Sequence, residues 1–336
     1  MAVTSPARVA LVATVLNEGA SIDALLASVA AQTRRPDEIV LVDGGSRDDT
    51  VVRARAWAAR GLPLRVLVAP GANIARGRNL AIAATTAPLI AVTDAGVTLA
   101  PDWLERLVAP FADPTVEVVA GFFRGHPHSA FEAALAATTL PVEADIDPRR
   151  FLPSSRSVAF RRTTWQRVGG YPEWLDYCED VVFDLALRRT GCRFVWEPRA
   201  LAYFRPRPTL AAFFRQYYLY ARGDGKADLW RQRHLIRYGV YLGLLPAGLW
   251  LLRRHPRAGS ALLLPLMAAY LRRPYARLLP LLHGRASSWW VLAPLLPPLL
   301  RLVGDVAKML GYPAGLAWRW QRAGAGNRRG LAPRRL

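Results

Sequence analysis

The chain has 336 residues, enough for one large domain or two ordinary ones, and its 45 Lys and Arg against 25 Asp and Glu give a formal net charge of +20. That balance argues for phosphate-bearing partners, whether a nucleotide-diphosphate substrate, an anionic lipid or nucleic acid. Cys178 and Cys192 are the only cysteines, which excludes a disulfide framework and a cysteine-based metal site and fits a reducing compartment.

Met1 to Arg8 is short and polar, with no apolar core of a signal peptide, so the N-terminal domain is expected to stay in the cytosol. Val9 to Val15 predicts a buried strand that ends at Asn17-Glu18, and Ser21 opens a helix through Leu25, Leu26 and Val29. Ile39 to Val42 predicts a second strand, ending in Asp43-Gly44-Gly45-Ser46. Asp48-Asp49-Thr50 caps a second helix, with Val51, Val52 and Ala56 expected on its inner side. Leu64 to Val68 is a third strand, Ile74 to Thr85 a third helix, and Pro88 to Thr93 a fourth strand that delivers Asp94 to its end. Strands and helices in alternation predict a doubly wound, mostly parallel sheet. Glu18, Asp43 and Asp94 then stand on one rim, at the carboxyl ends of strands where such sheets bind ligands. A rim of this kind suits a nucleoside base, a ribose and a cation. Neither G-x-G-x-x-G nor G-x-x-x-x-G-K-[ST] is present, which argues against a dinucleotide enzyme and a P-loop ATPase.

Val15-Leu16-Asn17-Glu18, Asp43 to Thr50, Ala75-Arg76-Gly77-Arg78-Asn79 and Asp94-Ala95-Gly96 together resemble the inverting family 2 glycosyltransferases of GT-A fold, over about residues 8 to 225. The resemblance implies a GT-A type, Rossmann-like sheet with flanking helices. By it, Asp43 contacts the nucleoside base, Asn17 and Glu18 shape the same pocket, Arg78 lies near the nucleotide, and Asp94 lies near the ribose and a Mg²⁺ or Mn²⁺ ion. Gly96 departs from the pattern, because it falls where the family's D-x-D motif places a second carboxylate. Three explanations stay open. Asp94 and the diphosphate hold the ion alone, His126 or His128 completes the site, or arginines neutralise the diphosphate with little help from metal.

Asp102 to Phe111 predicts a helix, Val116 to Ala120 a strand and Phe131 to Thr139 a helix, before a loop over Pro141 to Pro153. Ser154-Ser155-Arg156-Ser157 leads into another strand and offers Arg156 to a sugar or diphosphate. Gly169-Gly170-Tyr171 and Cys178-Glu179-Asp180 resemble further segments of the same family. Glu179 and Asp180 open an amphipathic helix whose dipole favours negative charge, with Asp184 one turn along. Inverting transfer needs one general base, assigned to Asp180, with Glu179 positioning it or the acceptor. Phe213 to Lys226 reads as an aromatic helix ending in a Gly-rich cationic turn, where Arg215, Arg222 and Lys226 are candidates to grip the diphosphate.

Tyr238 to Leu252, Ala258 to Leu271 and Trp289 to Val303 are apolar stretches that fall short of the roughly 20 residues spanning a bilayer and are interrupted by Pro246, Pro265, Pro294, Pro297 and Pro298. Arginines flank each one, so they are expected to form short spans or interfacial helices. Expected domains are 1–228 (glycosyltransferase), 229–322 (hydrophobic helical, membrane-associated) and 323–336 (basic disordered tail). The expected activity is inverting transfer from a nucleotide-diphosphate sugar to a lipid or glycan acceptor at a membrane, with a cytoplasmic catalytic domain and no nucleic-acid partner. The competing expectation is a non-catalytic nucleotide-sugar-binding or scaffolding protein with a degenerate metal motif.

Overall fold

The computed structural model describes residues 7–324. Two compact units emerge, Met1–Arg124 with Val142–Phe204, and Gly125–Pro141 with Arg205–Leu336. The basic tail expected from 323 lies, from residue 325 onward, outside the described residues.

The first unit holds β1 (Val9–Val15), α1 (Ile22–Ala30), β2 (Glu38–Asp43), α2 (Thr50–Ala59), β3 (Leu64–Val68), α3 (Ile74–Ala83) and β4 (Leu89–Val92). There follow β5 (Val97–Leu99), α4 (Trp103–Val108) and β6 (Val118–Gly125), then α5 (Ala130–Thr139) of the second unit. The first unit resumes with β7 (Val158–Arg161), α6 (Arg162–Val168), α7 (Glu179–Arg189) and β8 (Phe194–Phe204). The sheet order is β3-β2-β1-β4-β7-β6-β8-β5. β3, β2, β1 and β4 pair in parallel; from β7 onward the recorded pairings are antiparallel.

Alternate residues of β1 feed two cores, because successive side chains point to opposite faces of a sheet. Val9, Leu11, Ala13 and Val15 join α1 and α4, while Ala10 and Val12 join Ala75, Ala81 and Ile82 of α3 and Phe183 and Leu187 of α7. Burial on both faces explains the unbroken apolar runs. Val15 stands in register with Asp43, so the loops after β1 and β2 leave the sheet side by side. Gly77 lets α3 lie on β1, since a Cβ there would meet Thr14 Cγ2 at 2.5 Å.

Helix α2 differs from expectation. Thr50 and Ala54 are its buried residues, and Val52 is 71% exposed. The small Ala54 and the amphipathic Trp57 make the inner face, with Trp57 Nε1 donating to Asp23 Oδ1 at 2.8 Å. Strand β8 has no counterpart in the sequence reading, because Pro198 inside the run reads as a strand breaker.

The second unit contains α5, α8 (Leu210–Ala227), α9 (Arg231–Gly239), α10 (Leu245–Arg254), α11 (Pro256–Leu282), α12 (Ser287–Leu292) and α13 (Pro297–Gly324). The expected Gly-rich turn at 223–225 is instead helix. Gly225 of α8 and Gly315 of α13 let the two helices meet at backbone distance: a Cβ on Gly225 would sit 2.3 Å from Tyr312 O, and one on Gly315 2.1 Å from Arg222 O. Lys226 is buried there, with Nζ 4.7 Å from the Trp318 ring centroid.

Prolines interrupt less than expected. Pro246 follows directly on a π-turn at Val240–Leu244, and Pro265, Pro274 and Pro280 lie inside α11. As a result Arg231–Arg254 forms 24 helical residues of mean hydropathy 1.5, joined through a wide π-turn at Val240–Leu244. Among the described residues this is the one helix long and apolar enough to cross a membrane; α12 and α13 pass only as a pair bent by 43°. Asp305 ties the bundle together, accepting from Arg237 Nε at 2.8 Å, Tyr270 OH at 2.5 Å and Tyr241 OH at 3.1 Å.

Candidate active site

The short turns after β1, β2 and β4 and the start of α7 place the polar residues of the first unit. Asn17, with φ +55, crosses from one loop to the next: its N–H donates to Ser46 Oγ at 2.8 Å and its Oδ1 accepts from Arg47 N at 2.9 Å. Asp43 is buried and absorbed in its own turn, with Oδ2 accepting from the N–H groups of Gly45 and Ser46 at 2.9 Å each and Oδ1 from Ser46 Oγ. These bonds hold the Gly44–Ser46 loop in shape. The Glu18 carboxylate accepts from Ser21 Oγ, and the Glu18 N–H donates to Thr50 Oγ1 at 2.7 Å.

At the centre is Arg78, a charged side chain only 1% exposed. Its Nη2 donates to Asp94 Oδ1 at 2.6 Å and its Nη1 to Glu179 Oε1 at 2.5 Å, while the guanidinium lies 5.3 Å from the Tyr171 ring centroid. One cation thus joins the carboxylate at the end of β4 to the first residue of α7. Asp180 follows on that first turn, half-buried, with Oδ1 accepting from Val181 N at 2.8 Å. Arg156 approaches Asp94 from the other side, Nε to Oδ2 at 3.9 Å, and stacks 4.5 Å from the Phe204 ring centroid.

Burial is the largest influence on Glu179, and with the neighbouring Asp180 charge it pushes the carboxyl up to about 7, against the opposing pull of Arg78. The single guanidinium is shared with Asp94, which is why it does not hold Glu179 in the ordinary range. Arg78 itself is raised: burial works against its charge, and Asp94 and Glu179 outweigh burial. Burial likewise lifts Asp184 well above the usual carboxylate range, with Asp180 adding to the effect. Asp184 is packed under the helix with Oδ2 unpartnered.

Asn79 is a structural residue of the site whose role the sequence reading did not assign. Its Oδ1 accepts from Tyr171 N at 2.8 Å and Trp165 Nε1 at 3.1 Å, and its Nδ2 donates to Tyr171 O at 2.8 Å. Asn73, the N-cap of α3, donates to Glu173 O at 2.7 Å. Helix α3 thereby pins the 171–178 loop that delivers Glu179 and Asp180.

Arg222 is on α8, and His126 and His128 face each other at 3.4 Å, all in the second unit. Among the described residues no three His, Cys, Asp or Glu side chains gather as a self-sufficient metal site. A cation held by Asp94 would draw its remaining oxygens from a ligand, from water or from a neighbouring carboxylate.

Residues 11–167 match the family described as glycosyl transferase family 2. The O-antigen chain rhamnosyltransferase RfbN of Salmonella typhimurium is 24% identical over 225 residues, 63% of this chain and 70% of that protein. A pre-mycofactocin glycosyltransferase of Mycobacterium tuberculosis is 31% identical over 173 residues; these are 48% of this chain and only 36% of that relative's length. A mannosyltransferase from Pyrobaculum calidifontis, solved in complex with GDP-Man and Mn²⁺, superposes with a TM-score of 0.55 at 22% identity, covering 94% of this chain and 87% of that one. At that identity the likeness is one of fold.

Proposed function

Given that residues 11–167 belong to a family 2 glycosyl transferase domain, we propose that this enzyme moves a sugar, with inversion, from a nucleotide-diphosphate donor to an acceptor hydroxyl. The observation that carries the reading is Arg78, bridging Asp94 to Glu179 beside Asp180. It couples the rim where a donor sits to the helix that presents a base.

In this reading Asp180 takes the proton of the acceptor hydroxyl as its oxygen attacks the anomeric carbon, and the nucleoside diphosphate leaves from the opposite face. One carboxylate suffices and no covalent sugar–enzyme intermediate forms. A positioned base of this kind contributes roughly 10²- to 10⁴-fold. Arg156, beside Asp94, is placed to offset charge on the leaving diphosphate. Asp94 would hold a divalent cation, whose Lewis acidity would stabilise the departing diphosphate. The chemistry fits: carboxylate and phosphate oxygens are the hard ligands that Mg²⁺ and Mn²⁺ prefer.

Membrane association is part of the proposal. Leu242 and Trp250 on the 24-residue helix are 70% and 61% exposed, and Arg253, Arg254 and Arg257 cluster at its end. Apolar surface bordered by arginines suits an anionic bilayer. A lipid-linked or cell-envelope glycan is the acceptor this implies, in keeping with the O-antigen enzyme among its relatives.

Detergent-solubilised full-length protein, offered UDP-, GDP- and dTDP-sugars with a membrane lipid extract, is expected to release nucleoside diphosphate from one donor class. Proton NMR of the product should show the anomeric configuration opposite to the donor's. Retention would refute the single-base mechanism, and donor binding without turnover on any acceptor would favour a binding protein.

A further inference from the structure

Gly96 follows Asp94 by two positions with a left-handed backbone, φ +73. A Cβ built on it would point at a carboxylate that is already there: the nearest heavy atom is Glu18 Oε2 at 3.6 Å, followed by Ser21 Oγ at 4.0 Å. A carboxylate on an aspartate at 96 would extend toward Glu18 Oε2 and stop short of it, so the space such a side chain would enter is bordered by a carboxylate from the loop after β1. Glu18 is held in place at both ends, by its N–H on Thr50 Oγ1 and by Ser21 Oγ on its carboxylate.

The charges on the two acids differ. Asp94 is shared between Arg78 at 2.6 Å and Arg156 at 3.9 Å. Glu18 is paired with no Arg or Lys among the described residues and is half-buried beside the exposed Gly96. A divalent cation bound by Asp94 alone would meet a carboxylate already engaged by two guanidinium groups. With Glu18 added, the rim offers a second anionic oxygen ligand whose charge no Arg or Lys among the described residues offsets, the donor set that a hard divalent cation needs alongside diphosphate oxygens and water.

Building on the donor site proposed above, we infer that Glu18 supplies the second carboxylate that Gly96 lacks, so that Glu18 and Asp94 together hold the divalent cation of the bound nucleoside diphosphate. The residue does this from a different loop, and the absent side chain at 96 is what makes room for it.

The test reads binding and needs no acceptor. UDP, GDP and dTDP are titrated calorimetrically, each alone, into the full-length chain in detergent, once with Mn²⁺ and once with EDTA. The diphosphate that binds wild type should do so at least tenfold tighter with Mn²⁺. Glu18→Gln keeps an acceptor for Ser21 and removes only charge; its gain from Mn²⁺ should fall below threefold while its affinity in EDTA stays within threefold of wild type. The double variant Glu18→Gln/Gly96→Asp returns a carboxylate to the same space and should recover a gain above threefold. A full Mn²⁺ gain in Glu18→Gln overturns the inference, as does an equal loss in Mn²⁺ and EDTA, which would assign Glu18 to the nucleotide. Wild type that binds a diphosphate with no Mn²⁺ gain also overturns it while leaving the donor site intact. Failure of all three diphosphates to bind refutes the donor site itself, and this inference with it.

Discussion

Arg78 Nη1 lies 2.5 Å from Glu179 Oε1, an ion pair between residues 101 positions apart and both nearly inaccessible to solvent. Burying an arginine is tolerable only with its charge met on more than one side, and Asp94 supplies the second partner. The pair therefore fixes α7 relative to the end of β4.

Removing that cation should be severe. Arg78→Ala leaves two carboxylates facing each other without a counter-charge, and a loss of about 3–5 kcal/mol is expected in urea unfolding. Arg78→Lys keeps the charge but cannot reach both acids with a planar fork. It should fold with a smaller loss and still reduce kcat/KM at least tenfold. Wild-type stability in either variant would show that the pair contributes nothing.

Asn79 carries a separate prediction. Asn79→Ala removes the acceptor for Tyr171 N and Trp165 Nε1 and the donor to Tyr171 O, so about 2–4 kcal/mol should be lost. Donor turnover should fall with it, because the loop before Asp180 is released. Hydrogen exchange at Tyr171 and Leu175 should rise in the variant, and unchanged protection there would contradict the assignment.

Stability should also depend on pH through Glu179. Its folded-state carboxyl is raised to about 7 from an ordinary 4.5, so between those values the folded chain binds more protons than the unfolded one. The contribution is fully present below about pH 4.5 and disappears as pH rises through 7, an effect of about 3 kcal/mol at most. Asp184, raised in the same direction, adds with the same sign. Urea midpoints from pH 5 to 8 should therefore fall more steeply in wild type than in Glu179→Gln. Parallel slopes would place the titration elsewhere.

Much of the first unit was legible because β1 to β4 are buried on both faces and their apolar runs end in charged or glycine turns. The positions of Glu18, Asp43 and Asp94 followed from those endings, and Asp180 from the resemblance carried by Cys178-Glu179-Asp180. What was hidden depends on contacts distant in sequence. Nothing local to Glu18 shows that it fills the space beside Gly96, nor does the 75–79 segment show that Asn79 grips Tyr171. In the second unit, glycines 223 and 225 read as turn formers. For Gly225 the reason is the close approach of α13, which no local pattern contains. Prolines misled for a related cause: Pro246 beside the π-turn at Val240–Leu244 and Pro265 within α11 are accommodated, so helices run longer than their apolar stretches.

The exposed apolar face makes a membrane prediction. The full chain should float with vesicles containing anionic lipid, and Leu242→Asp with Trp250→Asp should reduce the floated fraction severalfold. Raising salt should weaken only the arginine contribution. Equal recovery in the soluble fraction with and without vesicles would contradict membrane association.

Asp180 carries the central claim, and Asp180→Asn isolates it, since the side-chain amide keeps an oxygen to accept from Val181 N and removes the base. The measurement is steady-state release of nucleoside diphosphate from the preferred donor, beside the donor's Kd. The account predicts a fall in kcat of roughly 10²- to 10⁴-fold with Kd within threefold of wild type. Turnover within threefold of wild type, with donor binding intact, would contradict it.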